Sequence, residues 1–180
     1  MPISFYDISV RSHLRGLDSL SNILRLAKVY AAENRIPIDE LLEWRIIQDM
    51  NPLSWQVQYI CQLPQNFLTE AAHLELDLPT IEDSSEETFA DLEARVASTI
   101  QLLNSIDRYS VEGKEDQIAK GKDDAKARWG EFTGEQYLLG MNLPNFYFHL
   151  VTAYDILRGK GVPLGKREYL RPHFAEFVHK

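Results

Sequence analysis

The sequence predicts an all-α protein whose long helices pack as a four-helix bundle, and three observations carry that prediction. Four stretches hold apolar residues at three- and four-residue steps, the period of an amphipathic helix. The joins between them are short or irregular and are punctuated by proline, glycine and asparagine. A hydrophobic share of 44% against 26% charged, over 180 residues, supplies enough apolar surface for one sizeable core, so residues 1–180 read as one domain. No repeat with a period of roughly 20–50 residues is visible.

The first stretch runs from Phe5 to Ala32 on Ile8, Val10, Leu14, Leu17, Leu20, Ile23, Leu24 and Ala27. Gly16 inside it costs about 1 kcal/mol against alanine, which implies either close packing on a neighbour or simple tolerance. His13 is expected at the surface or boundary, because nothing local pairs with it. Asn34 and Pro37 close this helix, and Ile38–Ile47 forms a short connector carrying Leu41, Leu42, Trp44 and Ile46. Asn51 is placed as an N-cap with Pro52 at the first helical position, where a missing N–H costs nothing.

The next helix spans Pro52 to about Leu74 on Leu53, Val57, Ile60, Phe67, Ala71 and Leu74, and Gln56 falls on that apolar stripe. Pro64 should kink or divide it, since the ring displaces the carbonyl of Ile60. Leu78–Glu87 reads as loop. Glu86, Glu87 and Thr88 then lead into a helix from Phe89 to Ile106 on Phe89, Leu92, Val96, Ile100 and Leu103, and Asp83 with the glutamates near its start suits the positive end of the dipole. Over residues 107–134 the apolar period disappears, and Lys114, Lys120, Lys122 and Lys126 alternate with acidic residues as in a solvated excursion. Trp129 and Phe132 near its end suit a short hairpin or lid over the core. Thr133–Gln136 can cap a short helical stretch through Met141, and the last long helix runs from Leu143 or Pro144 to Arg158, with Gly159 and Gly161 ending it. The tail from Val162 is expected to pack back on the bundle through Gly165–Leu170.

Charge and composition remove several function classes. A net charge of −8 and a pI near 5.1 argue against general affinity for nucleic acid or anionic membrane, both of which need clustered Lys and Arg. The single cysteine, Cys61, excludes an intrachain disulfide and a Cys-rich zinc site, and it reads as a small core residue. No early apolar run resembles a signal peptide, and no stretch of about 18 apolar residues suits a bilayer span. The expected setting is cytoplasmic, with the nucleus equally open. Glycine-rich phosphate loops, Gly-x-Ser-x-Gly, His-Glu-x-x-His and paired cysteines are all missing.

What remains is one helical face. Asn145 and His149 are four apart and share a side of the last long helix, which Thr152 and Ile156 continue. Phe148, Leu150, Val151 and Leu157 make the adjoining face too apolar for an exposed helix, so the helix is expected to be largely enclosed. Enclosed Asn and His need partners, and Gln56 across the bundle supplies one, with Asp49 or Asp155 nearby. Tyr147 and Tyr154 project from a different face and read as packing residues. The candidate pocket is therefore Asp49, Gln56, Asn145 and His149. Three readings of it stay open: a divalent metal held through His149, since helix-borne donors at i and i+4 are how bundles build metal sites; a pocket for a small polar molecule; and a structural hydrogen-bond network. In an enzymatic version His149 is the general base or single metal donor, and Asn145 and Gln56 orient the substrate.

The run Pro144-Asn145-Phe146-Tyr147-Phe148-His149, then Ala153-Tyr154 with Ile156-Leu157-Arg158, then Gly161-Val162 and Gly165-Lys166-Arg167 with Tyr169-Leu170, resembles the C-terminal signature of a domain-of-unknown-function family in the DinB/YfiT-like four-helix superfamily. Phe5-Tyr6-Asp7-Ile8-Ser9-Val10 with Arg15-Gly16-Leu17, and Asp49-Met50, Pro52-Leu53 and Gln56-Val57-Gln58, agree with it, so the match spans nearly the whole chain. The resemblance implies an up-down-down-up bundle, often dimeric, in a superfamily often described as metalloenzymes, some of them thiol-dependent transferases. Its metal-binding members place one histidine on the second long helix and a His-x-x-x-His pair on the last. Here His149 matches the second of that pair, Asn145 stands in the first position, and Gln56 or Gln58 lies near the remaining ligand. The expectation is thus a DinB-like protein with an internal polar pocket that binds a small polar molecule or acts as a degenerate metalloenzyme; the alternative is a structural or dimerisation module without catalysis.

Overall fold

The computed structural model describes residues 4–76, 88–120 and 130–174. The first predicted helix is two: α1, Phe5–Ile8, and α2, Val10–Glu33. Ser9 divides them by leaving helical backbone, at φ −104° and ψ −84°, and its hydroxyl donates to the Phe5 carbonyl at 2.6 Å. Beyond that break α2 buries Val10, Leu17, Leu20, Ile23, Leu24 and Ala27 of the predicted stripe, while Leu14 is only half-buried. Its end is closed by Arg35 at φ +57°, which brings the Ile36 amide back to the Ala31 carbonyl at 2.9 Å.

The connector is shorter than its sequence suggests. Ile38–Glu43 is a 3₁₀ helix that buries Leu41 and Leu42, while Ile46 and Ile47 are 51% and 58% exposed. The chain turns extended at Trp44, whose carbonyl takes the Leu53 amide at 2.8 Å. Helix α3, Leu53–Asn66, starts one residue later than expected, with Pro52 at the cap position and no side-chain cap. Pro64 does not divide it at its own position; the chain stays helical to Asn66 and then widens into one π-helical turn, Phe67–Ala71.

Helix α4, Phe89–Ser105, is opened by a reciprocal cap: the Thr88 hydroxyl accepts from the Asp91 amide and the Asp91 carboxylate from the Thr88 amide. Asp39 also accepts from the Phe89 amide, at 2.7 Å, joining the connector to α4. The predicted Leu78–Glu87 loop and its Asp83 lie outside the described residues, as do Lys122, Lys126 and Trp129. After α4 the Arg108 guanidinium bonds Asp7 at 2.7 Å and the Ser4 hydroxyl at 2.8 Å, tying the excursion to the N-terminal turn and holding the Asp7 carboxyl below the usual carboxylate range. The two ends of the excursion meet in one antiparallel bridge, Ile118 with Thr133, and Phe132 packs against the core. Thr133 and Gln136 then form the capping box of α5, Gly134–Tyr137. A second π-helical turn, Leu138–Asn142, leads into α6, Leu143–Gly159, and α7, Lys166–Phe174, follows.

The long helices α2, α3, α4 and α6 pack on one another around a common core, and α7 lies along α2. The docking of α7 has a local cause. Pro172 has no amide to offer the Glu168 carbonyl four residues back, and Asn22 of α2 donates to that carbonyl instead, at 2.8 Å. Ser19 does the same for the carbonyl of Tyr169 at 2.7 Å. No helix among the described residues is long and apolar enough to cross a membrane.

Candidate functional site

Gln56 on α3 and His149 on α6 meet across the bundle, Oε1 to Nδ1, at 2.7 Å. Both are buried, at 2% and 8% exposure. The other end of the Gln56 amide decides the chemistry. Its Nε2 donates to the Asn51 carbonyl at 3.0 Å, and a carbonyl can only accept. The oxygen of the amide therefore faces His149, and Nδ1 of the imidazole must carry the proton. His149 is left with a bare Nε2, which has no hydrogen-bond partner among the described residues. Burial holds its pKa down to about 4, so the ring is neutral at pH 7.

Aromatic rings enclose this pair. Tyr59 and Trp55 of α3 stack on each other at 4.7 Å and 9°, and each presents to the His149 ring, at 4.7 Å and 5.3 Å. Phe148 meets it edge-on at 5.1 Å. Trp55 and Tyr59 were not singled out in the sequence, although their i, i+4 spacing beside Gln56 was there to be read. Asn145 is half-buried and reaches the Tyr59 hydroxyl at 3.5 Å rather than the imidazole. Asp49 is exposed on the loop before α3 and bonds none of these groups among the described residues. Leu150 and Leu157 are fully buried, but Phe148 and Val151, expected to be enclosed with them, are 58% and 43% exposed. Only part of that face meets the core.

A second histidine lies deeper than the sequence suggests. His13, expected at the surface or boundary, is fully buried, its ring edge against Phe146 at 4.9 Å. Its partner comes from 129 residues away, where Asn142 Oδ1 sits 2.8 Å from Nε2. Asn142 Nδ2 donates to the Leu63 carbonyl at 2.8 Å, so the same reasoning applies in mirror image: the amide oxygen faces the ring, Nε2 carries the proton, and Nδ1 is bare and unpartnered among the described residues. Burial drives the His13 pKa to about 4, against the pull of the Asn142 bond and, more weakly, of the Ser9 backbone. Asn142 closes one π turn and Glu70 lies in the other, and near both lies the Tyr137 hydroxyl, which burial and the Glu70 carboxylate push far above the usual phenol range. Widened turns of this kind often mark functional positions. The bundle thus holds two imidazoles, each locked by a carboxamide whose NH₂ is anchored on a backbone carbonyl, with opposite nitrogens protonated.

Transition-metal binding does not fit this donor set. His149 offers a single bare nitrogen, the neighbouring Gln56 and Asn145 side chains are neutral carboxamides, which are poor donors for a first-row ion, and no group of three or more His, Cys, Asp or Glu side chains able to hold a metal occurs among the described residues.

A bundle of long helices packed in this way is DinB-like in fold. A crystal structure of a DinB family member protein from Shewanella denitrificans superposes with a TM-score of 0.83 and 29% identity, over 92% of this chain and 90% of that one. The chain belongs to the domain-of-unknown-function family DUF1993, whose model matches residues 5–170. No curated protein matches it.

Proposed function

We propose that the chain binds a small polar molecule through the bare Nε2 of His149, without a metal. The observation that carries this reading is the anchored Gln56 amide, which makes the bare nitrogen of His149 an acceptor at neutral pH. A hydroxyl, amine or amide N–H on the ligand is its complement, and Asn145 and Tyr59 flank the same ring for a second contact. In an enzymatic version the same nitrogen is the general base, since it is neutral and free to take a proton.

A thermal shift panel of small alcohols, amines, amides and divalent ions on untagged protein tests the proposal. Binding at a hundredfold excess over Kd stabilises by about 3 kcal/mol, and the account expects such a response to a polar donor, its loss in His149→Ala, and none to the ions. Silence across the panel in wild type, or an equal response in His149→Ala, would remove the pocket. One observation favours a second reading: Phe148 and Val151 form an exposed apolar step on the outer side of α6. If that side is a partner or dimer interface, Val151→Ser should change the sedimentation behaviour and leave the panel unchanged.

A further inference from the structure

Arg25 of α2 faces Lys166, Arg167 and Arg171 of α7 across a cavity of about 850 Å³, within the range of roughly 300–1,000 Å³ usual for small-molecule sites. In a protein of net charge −8 this is a gathering of four cations. Among the described residues none of the four forms an ion pair; Arg25 has only the Asn22 side-chain oxygen, at 3.2 Å. Glu168, the one carboxylate in the lining, is turned to the start of its own helix, where it accepts from the Gly165 amide at 2.9 Å. Leu26, Leu170 and Phe174 give the cavity an apolar part, with Phe174 53% exposed. Arg167, Leu170, Arg171 and Phe174 recur at three- and four-residue steps, so one face of α7 supplies both the charge and the apolar surface.

We propose that this cavity binds an amphipathic organic anion, its carboxylate or phosphate group held by Arg25 and Arg171 and its apolar portion laid against Leu26, Leu170 and Phe174. Guanidinium groups take planar anions through two parallel hydrogen bonds, and an anion relieves the mutual repulsion of the four cations. The site lies on α2 and α7, away from the Gln56–His149 pair on α3 and α6, and stands independently of that reading.

Calorimetric titration of the intact protein at low salt with octanoate, octyl phosphate, inorganic phosphate and octylammonium tests the proposal. Both amphipathic anions should bind, inorganic phosphate at least about tenfold more weakly, and octylammonium not at all; the double variant Arg25→Ala/Arg171→Ala should weaken the anions by about tenfold or more. Both arginines are exposed, so the variant keeps its fold, checked by circular dichroism, and Arg25→Lys/Arg171→Lys should retain part of the binding. Absence of binding by both amphipathic anions, unchanged binding in the alanine double variant, or inorganic phosphate matching octyl phosphate would overturn it.

Discussion

Asn142→Ala is expected to destabilise the protein by about 3 kcal/mol, combining an orphaned buried donor with a small cavity, and to lower the melting temperature by roughly 10 °C for a chain of this size. The substitution removes the acceptor of the His13 Nε2–H and one of the donors to the Leu63 carbonyl. Leu63 keeps the Phe67 amide, so the cost falls mainly on the imidazole, which has no route to water. The test lies in the double variant. His13→Leu removes the N–H that was orphaned, so Asn142→Ala should cost clearly less in the His13→Leu background than alone. Equal costs in the two backgrounds would mean that the pair is not coupled.

Gly16→Ala is the second large effect, and its sign is the informative part. In an open helix interior the change gains about 1 kcal/mol. Here an alanine Cβ falls 2.3 Å from Cε1 and 2.7 Å from Cζ of Phe146, a fully buried ring set against His13 and Tyr147. Overpacking of this kind costs about 1–3 kcal/mol, so a net loss of about 2 kcal/mol by chemical denaturation is expected. Phe146→Leu withdraws the ring edge, and in that background Gly16→Ala should turn neutral or stabilising. A loss that persists there would assign the glycine to something other than the ring.

These effects also mark what could be read from the sequence. The stripes of α2, α3, α4 and α6 were legible because each repeats at helical spacing, and most of their residues are buried, with Leu14, Leu74, Ile100, Phe148 and Val151 the exceptions. Gln56 and His149 were legible as polar exceptions on apolar faces. His13 was not, because its partner Asn142 lies 129 positions away in a π turn that no local pattern announces. The break at Ser9 was hidden for a related reason: the apolar period continues across it, and the hydroxyl that closes the turn leaves no trace in hydrophobicity. Gly16 was visible as an anomaly, and the structure decides between the two explanations in favour of close packing on Phe146.

Proton placement on the two imidazoles underlies the whole account and is directly measurable. Both pKa values fall from 6.5 to about 4, so folding favours the neutral rings. The stability they contribute is complete above about pH 6.5 and is lost as the pH falls toward 4, where the folded state also takes up the protons, at up to about 1.4 kcal/mol per pH unit for each fully buried ring. Long-range ¹H–¹⁵N spectra of the histidine side chains, followed from pH 7 downward, read tautomer and titration together. The account predicts Nδ1–H on His149 and Nε2–H on His13 at pH 7, neither ring charging until the pH approaches 4. A proton on Nε2 of His149, or titration of that ring near 6.5, would contradict it.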